Sequence, residues 1–229
     1  VFGNSEAVSS NQTDPHPGLE NIVRRHQRNP WRAPLADHDR AAFVEAQRWR
    51  QARGAHRPVI LDSGCGTARS SVCLALRYPE ALVFGLDQSE HRLARGRRRF
   101  SPLPDNLLLL RTDCAGFWRL AGQAGWRPWA HYLLYPNPWP KSAHLKRRWH
   151  GHPVFPDLLT LGGTLRLRSN WELYLREMAQ ALALAGQASR LAVLEDGSEP
   201  LTDFEDKYRH SGHRLWELVA PLTPPPDQP

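Results

Sequence analysis

Three aspartates in this chain each close a short apolar run. Asp62 follows Pro58-Val59-Ile60-Leu61, Asp87 follows Ala81 to Leu86, and Asp113 follows the run from Leu107. Behind the first lies a glycine loop, Asp62-Ser63-Gly64-Cys65-Gly66-Thr67-Ala68. Gly64 and Gly66 permit a tight turn and a close backbone approach to a ligand. The loop is short of the full G-x-G-x-x-G spacing, whose third glycine helps to seat a pyrophosphate. Asp62 can take hydrogen bonds from the ammonium of an amino-acid-like ligand. Asp87, about 20 residues further on, can accept from both hydroxyls of a ribose. Asp113 can accept from an adenine amino group. Singly, each acid would more often be a solvated loop residue or a helix cap. One acid at each of three successive strand ends instead matches the three parts of S-adenosylmethionine (SAM).

A second constellation follows the fourth apolar run. In Tyr135-Pro136-Asn137-Pro138-Trp139-Pro140-Lys141, prolines on both sides of Asn137 restrict the backbone and hold its amide in a tight loop. Trp139 offers a flat face on which a base can stack. Immediately after runs Lys141-Ser142-Ala143-His144-Leu145-Lys146-Arg147-Arg148-Trp149-His150, dense in cations and interleaved with aromatics. Phosphate contacts from Lys146, Arg147 and Arg148 would supply salt-dependent affinity for a nucleic acid.

The elements that must carry these groups are legible from periodicity. Strands are expected at 58–62, 81–87, 107–111, 132–135, 164–168, 190–194 and 215–219. Helices are expected at about 70–77, 89–99 and 171–184, with helical content at 35–53. Alternating strands and helices predict a doubly wound, Rossmann-like α/β domain with a mostly parallel seven-stranded sheet, which binds ligands at the carboxyl ends of its strands. Residues 1–34 are expected to be a mobile leader, 35–220 the domain, and 221–229 a disordered proline-rich tail. Gly162-Gly163 reads as a turn, and Trp118, Trp126 and Trp129 as packing residues.

Composition bounds the partners. Lys and Arg number 30 against 23 Asp and Glu, a net charge of +7 that favours polyanions. No apolar run approaches the roughly 20 residues of a membrane span, and no signal-peptide pattern opens the chain. Cys65, Cys73 and Cys114 are widely spaced and odd in number, so neither a disulfide framework nor a metal site is expected. A reducing, cytoplasmic compartment fits.

The order of the motifs resembles a known family. Asn-Pro-Trp-Pro-Lys at 137–141, followed by His-Leu-Lys-Arg-Arg at 144–148, is similar to the signature of the bacterial tRNA (guanine-N7) methyltransferases, often called TrmB. Ser169-Asn170-Trp171-Glu172-Leu173-Tyr174 resembles that family's Thr-Asp-Trp-x-x-Tyr, and Leu201-Thr202-Asp203-Phe204-Glu205 its Thr-x-Phe-Glu. The resemblance spans roughly residues 57–220. It implies a class I SAM-dependent methyltransferase acting on tRNA, as a monomer or weak homodimer. Asp62, Gly64, Gly66, Asp87, Asp113 and Asn137 would then line the SAM site. Lys141, Asn170, Thr202, Asp203, Phe204 and Glu205 would contact the guanosine or its neighbours, and Asn137 and Asn170 would be the catalytic positions.

The chain departs from the family at both asparagines, where aspartate is usual, and Ala68 replaces the third glycine of the loop. Guanine N7 carries a lone pair and no proton, so attack on the SAM methyl needs orientation rather than a general base. Exchanging a charged acceptor for a neutral amide costs about 1 kcal/mol each, several-fold in rate, unless Glu172 or Glu205 compensates. Two alternatives follow: a SAM-dependent paralogue with another RNA or a small-molecule substrate, and a catalytically weakened RNA-binding relative. The arginines at 92, 95 and 97–99 read as a solvated helix face or an RNA contact.

Overall fold

The alternation of apolar runs becomes eight α-helices and seven strands in the computed structural model, which describes residues 3–195, 197 and 199–223. In chain order they are α1 (Leu19–Arg28), α2 (Asp37–Arg53), β1 (Val59–Ser63), α3 (Arg69–Arg77), β2 (Leu82–Asp87), α4 (Glu90–Arg99), β3 (Leu107–Arg111), α5 (Cys114–Gln123) and β4 (Ala130–Leu134). Then come α6 (Phe155–Thr160), β5 (Gly163–Ser169), α7 (Glu172–Leu184), β6 (Arg190–Val193), α8 (Asp203–His210) and β7 (Trp216–Leu222). The elements fall into two compact units, Ala33–Leu134 and the remainder of the chain on either side of it.

In the unit Ala33–Leu134 the strands run parallel in the order β3-β2-β1-β4. Every residue of β1, β2 and β4 is buried, which is why these strands read as unbroken apolar runs rather than alternating ones. Gly85 sits where close packing leaves no space for a side chain: a Cβ there would meet Ser71 Oγ at 2.5 Å and Leu109 Cδ2 at 2.6 Å. The chain winds outward from β1 through β2 to β3, then returns to place β4 on the other flank of β1. That reversal opens a crevice at the carboxyl ends of β1 and β4, the usual ligand position in such sheets.

The other unit is antiparallel, in the order β5-β7-β6, with Leu167 opposite Leu218 and Leu191 opposite Leu218 on the far side. Here β5 alternates, burying Leu165, Leu167 and Ser169. Four strands thus lie in one unit and three in the other. This is the expected Rossmann-like class I methyltransferase fold, with β7 as the strand that breaks the parallel pattern.

Two boundaries differ from the sequence expectation. In place of a mobile leader over residues 1–34, the chain forms α1, which buries Leu19 and Val23 as it packs on α7. The segment ahead of α1 is bonded too: Gln12 Nε2 and the His16 N–H both donate to Glu177 Oε1, at 2.6 and 3.0 Å. The tail expected from 221 does not begin there, because Pro221 and Leu222 continue β7 opposite β5. Proline is tolerated there because β6 reaches only as far as Val219, leaving that edge of β7 unpaired. Residues 224–229 lie outside the described residues. Of the tryptophans, Trp118 and Trp126 are buried as expected, whereas Trp129 is 48% exposed.

Candidate functional site

Asp62 is the fourth residue of β1 and only 1% exposed. Its Oδ2 accepts from the hydroxyls of Ser70 and Ser71, each at 2.6 Å, while its Oδ1 is buried without a hydrogen-bond partner. Burial pushes the carboxyl up to about 6; the two serines oppose this and the Asp87 charge adds to it. A buried carboxylate oxygen left unpaired is costly, and marks a place where a ligand donor belongs.

Asp87 ends β2 and ties down the glycine loop. Its Oδ2 accepts from the Gly66 N–H at 2.9 Å, and its Oδ1 accepts from the Ser89 N–H at 2.8 Å and pairs with Arg92 at 2.9 Å. Gly64 and Gly66 take left-handed φ values of 80° and 59°, and a Cβ on either would meet nothing within 4 Å, so the loop faces open space. Asp113 stands at the N-cap of α5, yet its carboxylate does not cap that helix. Its Oδ1 accepts instead from Gln88 Nε2 at 2.7 Å, which links the ends of β2 and β3. The buried Cys114 thiol is raised by burial, then by the charges of Asp113 and Asp87, and it meets the Gly64 backbone. Asp62, Gly64, Gly66, Asp87 and Asp113 are therefore gathered at one end of β1, β2 and β3. Among the described residues no cluster of His, Cys, Asp or Glu is placed to hold a metal.

In the other unit the loop from Tyr135 to Lys141 is strained and strongly held. Tyr135 and Trp139 adopt φ values of 52° and 46°, unfavourable for bulky residues. Arg148 compensates. Its guanidinium donates to the Trp139 carbonyl from Nε and Nη2, at 3.2 and 3.1 Å, and to Gln12 Oε1 at 3.1 Å. It also pairs with Glu177, where Oε2 accepts a second bond from His150 Nε2 at 2.9 Å. Arg148, His150 and Glu177 are all fully buried. Within the loop, Asn137 Oδ1 accepts from the Trp139 N–H at 3.3 Å. A cavity of about 500 Å³ opens between Ser9–Gln12 and Pro140–Ser142, with exposed Lys141 on its wall.

The segment Thr202–Glu205 starts α8. Thr202 Oγ1 accepts from the Glu205 N–H at 2.9 Å, an N-cap bond. Glu205 is 0% exposed and accepts from Arg168 through both oxygens at 3.1 Å and from Arg209 at 3.0 Å. Phe204 is the reverse, 56% exposed, and its ring stacks on Tyr208 with centroids 6.1 Å apart. Asn170 follows β5, half-buried, with its amide against His213.

These placements correct four sequence readings. Arg148 does not reach RNA phosphates, because the buried charge of Glu177 and the loop carbonyls hold its guanidinium inside. Glu205 cannot touch substrate or restore a missing charge, since two arginines neutralise it in the core; Thr202 is occupied as a helix cap. The flat face of Trp139 is shared, with the Arg147 guanidinium 4.7 Å from its ring centre. The basic helix α4 is largely solvated, but Arg92 serves Asp87, a role that a charge run does not reveal. Sequence reasoning also missed Gln88, whose only signal was its position directly behind Asp87; Ser70 and Ser71, eight and nine residues beyond Asp62 in the first turn of α3; and His213, which carried none.

Residues 56–218 match the family model Methyltransf_4, described as "Putative methyltransferase". The chain belongs to this methyltransferase family. A tRNA (guanine-N(7)-)-methyltransferase of Neisseria meningitidis serogroup C (strain 053442) is 29% identical over 174 residues, covering 72% of each chain. The protein of that name from Pasteurella multocida (strain Pm70) is 27% identical over 182 residues, covering 72% of this chain and 68% of its own. Among solved structures, the 16S rRNA methyltransferase KamB superposes with a TM-score of 0.59 at 17% identity, over 84% of this chain and 96% of that one. A 16S rRNA (adenine(1408)-N(1))-methyltransferase from Catenulisporales acidiphilia, solved with cosubstrate SAM, gives 0.56 at 16% identity over 80% and 93%. These likenesses establish the fold of the methyltransferase.

Proposed function

We propose that this methyltransferase transfers a methyl group from SAM to N7 of a guanine in tRNA. The observation that carries the reading is the gathering of Asp62, Asp87 and Asp113 beside an open glycine loop, with one buried oxygen of Asp62 lacking a partner. The acceptor is taken from the relatives, tRNA (guanine-N(7)-)-methyltransferases at 27–29% identity.

The residues fit the cofactor's chemistry. The free Oδ1 of Asp62 would accept from its ammonium, Asp87 from its ribose hydroxyls in exchange for Arg92, and Asp113 with Gln88 would meet the adenine. When bound, SAM supplies an electrophilic sulfonium methyl. Guanine N7 brings its own lone pair and has no proton to lose, so no residue acts as a general base. The work left to the chain is orientation and exclusion of water. Asn137 and Asn170 hold the base, Phe204 offers an exposed ring for stacking, and Asp203 borders it. Lys141, Lys146 and Arg147, all exposed, bind phosphates. Work on tRNA fits a cytoplasmic location; no helix among the described residues is long and apolar enough to cross a membrane.

The test is nucleoside mass spectrometry of tRNA incubated with SAM and the protein. The expected product is 7-methylguanosine, absent with Asp87→Ala. A different methylated nucleoside would favour the paralogue reading, to which the two asparagines lend support. SAM binding without any methylated nucleoside would overturn the tRNA enzyme.

A further inference from the structure

Asn137 and Asn170 are held with opposite polarity. Asn170 Nδ2 lies 3.1 Å from His213 Nδ1, and His213 Nε2 lies 2.9 Å from the carbonyl oxygen of Ser5. A backbone carbonyl only accepts, so Nε2 carries a ring proton, and Nδ1, which faces Asn170 Nδ2, presents a lone pair. Only a donor satisfies that lone pair. The amide nitrogen of Asn170 must therefore face the ring, which turns Oδ1 away from it as an acceptor. At Asn137 the local donor is the Trp139 N–H, so there Oδ1 is engaged and the amide N–H groups are left to donate.

The ring of His213 is not free to choose otherwise. Helix α8 ends in a Schellman motif: Gly212 takes φ 71°, its N–H donates to the Arg209 carbonyl at 2.9 Å, and the His213 N–H donates to the Tyr208 carbonyl at 3.0 Å. This closure lays the imidazole flat on Tyr208, with centroids 5.2 Å apart and planes 11° from parallel. Ser5 is anchored in turn, its N–H donating to Ser211 Oγ at 3.1 Å, whose hydroxyl donates to the Lys207 carbonyl at 2.8 Å. The chain of donors from Asn170 to His213 to Ser5 is directional at every step.

We propose that His213 is a positioning residue that fixes the Asn170 amide with its carbonyl oxygen as the acceptor for N–H donors of the target guanine. The inference rests on the reading of Asn170 as a guanine contact. Guanine carries donors at N1 and N2, whereas a purine whose N1 is an acceptor sets lone pair against lone pair at Oδ1.

Two measurements test it separately. The first is the 15N spectrum of the full-length protein's imidazoles, with His213 assigned through His213→Phe. Protonation at Nε2 alone is expected, and a ring protonated at Nδ1 alone overturns the proposal. The second is kinetic. His213→Phe keeps an aromatic ring on Tyr208 but removes both nitrogens, and circular dichroism should show a melting temperature within a few degrees of wild type. Its kcat/KM for tRNA should fall about tenfold or more. Its discrimination against tRNA carrying 2-aminopurine at the methylated position should weaken by a similar factor. Unchanged discrimination in a folded His213→Phe protein overturns the guanine role. Should wild type methylate no tRNA, the functional reading falls, and the imidazole spectrum still decides the orientation of Asn170.

Discussion

The loop bearing Asn137 and Lys141 hangs on one buried ion pair, and Glu177→Gln should expose that dependence. Arg148 and Glu177 are each 0% exposed. Burial opposes the Glu177 charge, but the hydrogen bond from His150 and the Arg148 guanidinium outweigh it and depress the carboxyl from the usual 4.5 to about 2. Burial also opposes charging of His150, so Arg148 supplies the permanent charge. At about 1.4 kcal/mol per pH unit, the depression is worth about 3 kcal/mol to the folded state. An independent route gives a similar size, since a buried arginine deprived of its partner costs about 3–5 kcal/mol. For a chain of this length, about 3 kcal/mol lowers the melting temperature by about 6–12 °C. Because the folded pKa is the lower one, the contribution is complete above about pH 4.5 and fades as pH falls towards 2. The gap between wild type and Glu177→Gln should therefore be widest at pH 7, about half as large near pH 3, and closed below 2. A pH series of thermal melts measures this. The double variant Glu177→Leu with Arg148→Met should regain much of the stability. It would still lack the bonds from Arg148 to the Trp139 carbonyl, so methyl transfer should stay low. A single variant melting within 1 °C of wild type at pH 7, or a gap that ignores pH, would refute the reasoning.

Other outcomes follow from the same geometry. SAM affinity, measured by titration calorimetry, should weaken as pH drops through about 6, where Asp62 takes up a proton and loses the charge that grips an ammonium. Removing the opposing hydroxyls with Ser70→Ala and Ser71→Ala should move that midpoint upward; an unmoved midpoint would count against Asp62 as the ammonium ligand. Lys146→Glu with Arg147→Glu should weaken tRNA binding without changing base preference, and lower the salt slope by about 1.5, as for two lost phosphate contacts. An unaltered slope in filter binding would remove both from the interface. Thr202→Ala should cost about 1 kcal/mol in urea unfolding through loss of the α8 cap, with catalysis little changed at low temperature. A selective rise in KM would instead make Thr202 a substrate contact.

Elements with a strong local signature are legible in the residues alone. β3 falls at 107–111 as expected, and the other strands shift at their ends by one to three residues. Helices that are buried all round or very short escape such a reading. α5 is buried almost all round, so it shows no alternation of faces, and α1 has only ten residues, its stripe of Leu19, Ile22 and Val23 set in a polar segment. The motif Thr-x-Phe-Glu reads as substrate chemistry although half of it starts a helix, because a capping pattern and a contact pattern use the same residue types. Asn137 and Asn170 stand out as departures, but nothing local indicates that the Asn170 amide is oriented by a histidine 43 positions away.

The chain's own order of residues decided that carboxylates would close β1, β2 and β3, because strand ends and tight glycine turns follow from local sequence. It also decided the family, through the succession of short motifs. Only the folded molecule decided what each charge and amide does. Arg148 meets Glu177 across 29 positions, and His213 meets Ser5 across 208. Compensation of a buried charge and the direction of a hydrogen bond depend on which distant groups close upon one another, and no spacing along the chain carries that information.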